Sequence, residues 1–363
     1  MSRKAHPEFH KALMEQATYS VAPRHIRHQE THCSFLYRTG AEVYKFRKSS
    51  PVYSSLEVKE LLVREGLALG RRWAPQVMIG MAKVVAVGES YCLAAVAELP
   101  DAVGAVPLPA CPADGRLVDY ALRMRQLSES HWVDALVRGG KLSGVTVGRI
   151  ARFLAQRHAE APADERAQAH GWSEQVAALA DVLLSEAKQL IGGALSEPML
   201  ELMGRPLHRF VADAHKLLLR RARKGRLVHC HGAFVPEHLH AKSLDVQAIS
   251  PVLSQSKFHL LDAASDVAAF VNGLLLLNSD ELARLFQERY AAAAKDRELA
   301  EILPGFQVLM ALRRGISASE AQAEAALPGE QRAAYGAAAQ AQFALGVRIA
   351  RDMTRAALAP ALP

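Results

Sequence analysis

The densest concentration of reactive side chains is the run His229-Cys230-His231-Gly232-Ala233-Phe234-Val235-Pro236-Glu237-His238-Leu239-His240. Imidazoles, a thiol and a carboxylate so close together could ligate zinc or nickel, which take nitrogen and sulfur donors. His238 and His240 alternate as two residues on one face of a strand would. The competing reading makes them structural or surface imidazoles. His158 follows Ile150, Phe153 and Leu154 along one apolar helical face, where a histidine is more often packed core than ligand. Arg220, Arg221, Arg223, Lys224 and Arg226 form the densest basic cluster. It could meet phosphates or an acidic partner, and its plainer reading is a solvated helix end. The sequence has no GxSxG nucleophile elbow, no HExxH and no GxxxxGK[ST] phosphate loop.

The elements that must position these residues follow from the pattern. The chain has 363 residues, half of them hydrophobic and 22% charged, with a net charge of +7. That length suits two lobes, and the composition is that of a folded globular protein. Cys33, Cys92, Cys111 and Cys230 are far apart with no CxxC, which argues against a disulfide framework. No apolar segment at the N-terminus reads as a secretory signal, and no apolar run approaches the ~20 residues that cross a bilayer. A cytoplasmic protein without a membrane partner is the expectation. No basic stripe is interleaved with aromatics, which argues against a nucleic-acid partner.

Residues 1–27 read as an N-terminal arm, with a short helix or loose segment over Met1–Thr18. Short strands are predicted at His32–Tyr37 and Ala41–Phe46, joined at Arg38-Thr39-Gly40. A helix follows over Leu56–Arg72, then strands at Val77–Val87, Tyr91–Ala97 and Asp119–Gln126. The stretch Leu99–Gly115, rich in proline, alanine and glycine, is a loop. From Ser130 the pattern turns helical: Val145–Ala161, Trp172–Ile191, Glu197–Lys224, Val267–Leu277, Asp280–Ala294 and further helices beyond Leu303. The expected fold is α+β, with a small mixed β-sheet lobe carrying one helix (28–128) and a larger helical lobe (129–363). A short β-hairpin island near 227–261 lies inside the second.

Several stretches together resemble the aminoglycoside-phosphotransferase-like branch of the protein-kinase-like fold, in order and spacing. They are Glu30-Thr31-His32-Cys33-Ser34, Val43-Tyr44-Lys45-Phe46-Arg47-Lys48, Arg71-Arg72-Trp73-Ala74-Pro75, Asp119–Arg125, His229-Cys230-His231-Gly232 and Leu261–Ala268. The chain is similar in particular to an uncharacterised bacterial group often fused to a P-loop ATPase domain, of which it looks like a degenerate member. Such proteins position phosphates, hold divalent metal on them and orient an acceptor hydroxyl. The resemblance gives the phosphate-positioning lysine to Lys45 and its carboxylate partner to Glu65, with Glu60 as runner-up. The family's HGD motif becomes His231-Gly232-Ala233, so a methyl group stands where the catalytic aspartate belongs. Its metal-binding asparagine falls on His238, and an ungapped alignment back from Asp262 puts its second metal aspartate on Ser250. Asp262 and Asp266 match structural residues that brace the loop and cap a helix.

The resemblance therefore implies a retained nucleotide side and a lost metal side: ATP as a candidate ligand, magnesium in doubt. The expected function is that of a pseudokinase, a kinase-like domain acting by binding, with an unidentified protein partner. The alternative is an active ATP-dependent small-molecule phosphotransferase in which Asp245, Glu237 or Asp262 takes over the lost roles.

Overall fold

The computed structural model describes residues 7–48, 55–96, 101–161, 172–254 and 256–358. They fall into two units. One comprises the described parts of 1–129 together with 247–253, the other those of 130–246 and 254–363. No described helix is long and apolar enough to cross a membrane.

The first unit is built on one sheet. Its strands are β1 (Arg27–Glu30), β2 (Ser34–Arg38), β3 (Glu42–Arg47), β4 (Met78–Val87), β5 (Ser90–Ala95) and β6 (Arg116–Arg125), in the order β1-β2-β3-β6-β4-β5. Every pairing is antiparallel. The sequence pattern leads to a mixed sheet, because a helical crossover from β3 to β4 makes those two strands run parallel. They do, but β6 lies between them, so no parallel pair forms. β1 escapes the sequence reading because Arg27-His28-Gln29-Glu30 has no apolar alternation.

Strand periodicity sorts β3 between two cores. Tyr44 and Phe46 face a cluster with Phe35, Tyr37, Val84 and Leu93. Val43 faces the other cluster, with Val63, Leu67, Met78, Met81 and Tyr120. The second cluster is closed by α2 (Leu56–Trp73), whose buried Leu62, Val63, Leu67, Gly70 and Trp73 recur at helical spacing and whose N-cap is Ser55. Gly70 is required by close approach, since a Cβ there would lie 2.7 Å from the Met78 sulfur. Lys59 of α2 and Asp119 of β6 form a buried ion pair at 2.7 Å that fastens helix to sheet. The described part of the segment expected to be an arm is packed. Phe9, Leu13 and Tyr19 are buried on the first cluster, because three large apolar side chains are more stable on the open sheet face than in water. Its helix, α1, is only His10–Leu13. Residues 97–100 lie outside the described residues, and with them the end of the strand expected at Tyr91–Ala97.

Residues 247–253 belong to this unit although the sequence places them in the helical lobe. Ile249 packs against the α2-side cluster, and the Gln247 side chain accepts the Gln76 amide N–H at 3.3 Å.

The second unit is mainly helical: α3 (Val133–Arg138), α4 (Gly144–Ala159), α5 (Trp172–Lys188), α6 (Glu197–Asp213), α7 (His215–Arg223), α8 (Ala264–Leu276), α9 (Asp280–Ala294), α10 (Leu299–Ala323) and α11 (Gly329–Leu358). Strands β7 (Leu227–His229) and β10 (Leu260–Asp262) pair antiparallel, and β8 (Leu239–Lys242) and β9 (Asp245–Ala248) form a hairpin. α8 is buried almost all round, which its near-continuous apolar sequence requires. The single helix expected over Glu197–Lys224 breaks at Ala214, where φ is −83° and ψ is 2°.

That break delivers Arg221 to the interior, against the expectation that the whole basic cluster is solvated. Its guanidinium holds Asp262 in a bidentate pair at 2.8 Å and 2.8 Å, and Asp296 at 2.7 Å and 2.8 Å. All three side chains are inaccessible to solvent or nearly so. Asp262 also accepts the Ala264 amide at the start of α8, at 2.8 Å. One cation thus ties α7, β10 and the start of α8 to the segment before α10. Replacing it with leucine leaves buried Asp262 without a cationic partner and Asp296 with only the 3.9 Å contact to Arg226. Arg221→Leu is expected to lose about 3–5 kcal/mol of stability, read as a lower midpoint in urea unfolding followed by circular dichroism.

Candidate functional site

The loop from Cys230 to His238 leaves β7 and is held by Asp266 on the first turn of α8. One carboxylate oxygen of Asp266 accepts the His231 amide at 2.7 Å, and the other accepts the Gly232 amide at 2.8 Å. His158 on α4 hydrogen-bonds through Nε2 to the first oxygen at 3.2 Å and through Nδ1 to the Tyr290 hydroxyl on α9 at 2.8 Å. Gly232 takes φ +70° at the bend, a conformation that favours glycine. Beyond it Phe234 is fully buried against Phe270 and His231, with ring centroids 5.6 Å and 5.8 Å away. Pro236 opens a short 3₁₀ turn, Pro236–His238. A Cβ at Gly273 would lie 2.4 Å from its ring, so α8 leaves room for the proline.

Burial pushes the Asp266 carboxyl up, but the hydrogen bond and charge of His158, the charge of His231 and the loop amide outweigh it. The group is held below the usual carboxylate range. His158, Cys230 and Asp266 also bring potential metal-ligating atoms within 4.8 Å of one another, all buried. In this arrangement His158 and Asp266 bond to each other and to Tyr290 and the loop amides, as a brace.

Ala233, at the position matched to a catalytic aspartate, presents only its methyl group. Its amide donates to His231 Nδ1 at 3.3 Å, and its carbonyl accepts from His238 Nδ1 at 2.9 Å. His238 sits in the 3₁₀ turn and not in a strand, because Pro236 delays β8 until Leu239; the strand-face pairing of His238 with His240 does not form. His240 packs edge-on to Trp132, and His229 meets His259 across the β7–β10 pair, nitrogen to nitrogen, at 2.7 Å. The four clustered histidines therefore take different neighbours.

Two residues that the sequence reading passes over, Arg313 and Arg314 on α10, reach this loop. Arg313 Nη1 donates to the Gly232 carbonyl, and its guanidinium stacks over Phe258 at 3.7 Å from the ring centroid. Arg314 pairs with Glu237. Burial, and then the neighbouring Arg314, push the Arg313 guanidinium down to about 9, which leaves it charged at neutral pH. The signal was present in Leu309-Met310-Ala311-Leu312-Arg313-Arg314-Gly315-Ile316, a charged doublet inside an otherwise apolar helix.

In the first unit, Lys45 shares its strand face with Val43, toward α2. Its Nζ donates to the Ser250 hydroxyl at 3.3 Å. The lysine and the position matched to the second metal aspartate are thus brought together. Glu65 is not brought to Lys45, and among the described residues Lys45 forms no ion pair. Glu60, the runner-up, is engaged by Arg64 at 2.6 Å and by the Tyr120 hydroxyl at 2.5 Å. Among the described residues the carboxylate-to-lysine link of the sequence reading does not form: the sequence could suggest which face of α2 is charged, but not its rotation about the helix axis. Beside Lys45, in the β1–β2 turn, lies Cys33. Desolvation pushes its thiol up, but Lys45, the hydroxyls of Ser34 and Thr31, and Arg47 outweigh that and leave it below the ordinary thiol range.

No protein-family model matches the chain, and no curated protein matches it. Solved structures do. Choline kinase from Cryptosporidium parvum Iowa II superposes with a TM-score of 0.51 at 10% identity, over 92% of this chain and 91% of that one. The chain has a protein-kinase-like fold. A choline/ethanolamine kinase family protein from Mesorhizobium loti is also similar, with a TM-score of 0.48, 12% identity, and 95% and 99% of the two chains covered. So is a spectinomycin phosphotransferase solved with ADP and spectinomycin, with a TM-score of 0.45, 11% identity, and 95% and 98% covered. At these identities the kinase-like likeness is one of fold.

Two outcomes are expected from this geometry. Because the Asp266 carboxyl is held low in the folded chain, it stabilises the fold above the unfolded-state pKa, about 3.9, and that contribution drains away as pH falls through the lower folded value. The stability gap between wild type and Asp266→Asn, measured by urea unfolding, should shrink between pH 5 and pH 3. Cys33 should react with iodoacetamide at pH 7 faster than an ordinary exposed thiol, and Lys45→Met should slow it, since the thiolate is the nucleophile. An unchanged rate in that variant would remove Lys45 as the cause.

Proposed function

We propose that this chain is a pseudokinase: a kinase-like domain that acts by binding, toward a protein partner and with nucleotide as a candidate ligand, and does not transfer phosphoryl groups. The observation that carries this reading is Ala233. Phosphoryl transfer needs a group to orient the acceptor hydroxyl and carboxylates or amides to hold metal on the phosphates. A methyl group does neither. Loss of a general base alone typically removes about 10²–10⁴-fold of rate, and here the matched metal positions change as well.

The residues at those positions do not fit magnesium, which takes oxygen ligands in a near-octahedral set. His238 offers an imidazole whose Nδ1–H is committed to the Ala233 carbonyl. Ser250 offers a neutral hydroxyl that accepts from Lys45. The carboxylates that could be recruited instead have other partners: Glu237 pairs with Arg314 and Asp262 with Arg221. Asp245 stands at the start of β9, at the turn end of its hairpin.

The test is a phosphotransfer and ATP-hydrolysis assay with magnesium, on wild type and on the triple variant Ala233→Asp, His238→Asn, Ser250→Asp. Wild type should be inactive, and any activity gained should be confined to the variant. Magnesium-dependent turnover by wild type would sink the proposal, and its loss in Glu237→Gln or Asp245→Asn would assign the chemistry to those displaced carboxylates. A thermal-shift titration with ATP and ADP, with and without magnesium, measures the nucleotide question separately, because a ligand of the folded state alone raises its stability by about 2.7 kcal/mol at a hundred times Kd.

A further inference from the structure

The second unit carries a half-buried cation whose charge its neighbours do not match. Arg313 lies on α10 beside the loop that bears Ala233, with one Nη1 contact to the Gly232 carbonyl and its flat face on Phe258. Among the described residues it forms no ion pair. The carboxylates around it are otherwise engaged: Asp266 accepts His158 and two loop amides, Glu237 is paired with Arg314, and Asp262 with Arg221. The thiol of Cys230 is pushed well up by burial and brings no negative charge. A guanidinium has five N–H donors in a fixed fork. One is bonded to the Gly232 carbonyl, and the residue is only partly buried.

A partly desolvated charge without a directly paired carboxylate is costly; the nearby Asp266 offsets part of it but is already engaged by His158 and two amides, and an anion binding at the guanidinium would relieve the rest. Divalent cations meet the opposite situation. Where a metal-dependent enzyme needs carboxylates, this loop has a methyl group, and a guanidinium stands beside it. The fork of an arginine matches two oxygens of one phosphate group in a way that a lysine does not, and the aromatic face beneath it fixes the plane of that fork.

We propose that Arg313 is a phosphate-binding residue, and that the second unit holds a phosphate-bearing ligand there without a metal ion. The inference rests on the pseudokinase reading only in taking this loop as a vacated catalytic loop. The geometry around Arg313 stands by itself.

The test is isothermal titration of the full chain in buffer containing EDTA at low salt, with inorganic tripolyphosphate and with ADP. Tripolyphosphate should bind, binding should weaken as salt rises, and added magnesium should not strengthen it. Arg313→Gln should weaken it about tenfold or more, as loss of a charge-assisted hydrogen bond implies, and Arg313→Lys should recover part of that. Urea unfolding without ligand shows whether the glutamine variant is folded; if it is not, the lysine variant and the salt dependence carry the comparison. ADP binding much tighter than tripolyphosphate marks a nucleotide as the source of the phosphate, and similar affinities mark a free polyphosphate; both support the proposal. It is overturned by absence of tripolyphosphate binding, by equal binding in folded Arg313→Gln, or by a requirement for magnesium. Any of these leaves the pseudokinase reading standing, whereas magnesium-dependent phosphotransfer by wild type removes that reading whatever Arg313 does.

Discussion

The carboxylate of Asp266 is where the second unit's helices and its functional loop meet. It lies at the start of α8, is almost wholly buried, and accepts hydrogen bonds from two successive loop amides and from His158. A buried carboxylate is unstable unless donors surround it, so the conformation of His231-Gly232, the orientation of His158 and the position of Tyr290 behind it are mutually dependent. The loop therefore keeps a fixed shape that does not depend on the chemistry of its side chains.

This separation of shape from chemistry follows from where each set of atoms sits. The brace works through backbone N–H groups and through residues beneath the loop, so replacing the side chain at 233 with a methyl leaves it intact. Pro236 is accommodated because Gly273 offers no Cβ. Arg221 secures the same region from the other side by holding Asp262 at the start of α8. The scaffold around the loop is thus supported twice, by carboxylates on one short stretch of chain, 262–266, each with different donors.

Around the loop, Arg314 pairs with the exposed Glu237 and Arg313 adds positive charge. In the first unit Lys45, bonded to a serine hydroxyl and close to a thiol, has no carboxylate partner of the kind expected.

Much of the kinase-like fold was legible in the sequence. Strand alternation around Lys45, helical spacing over Leu56–Trp73 and the helices from Gly144 onward follow from periodicity, because local burial imposes a repeat of two or about 3.6 on the side chains. Ala233, Ser250 and the aspartates 262 and 266 could be located because they lie at fixed offsets along the chain. The sequence could not show that Arg221 is buried while its neighbours are exposed, that Glu65 does not reach Lys45, or that residues 247–253 join the sheet unit. Nor could it show that Arg313, some eighty residues beyond Gly232, stacks beside the loop. Each of these depends on which face of a helix turns inward or on a pairing between distant segments, and those are decided by the packing of the whole core, not by local pattern.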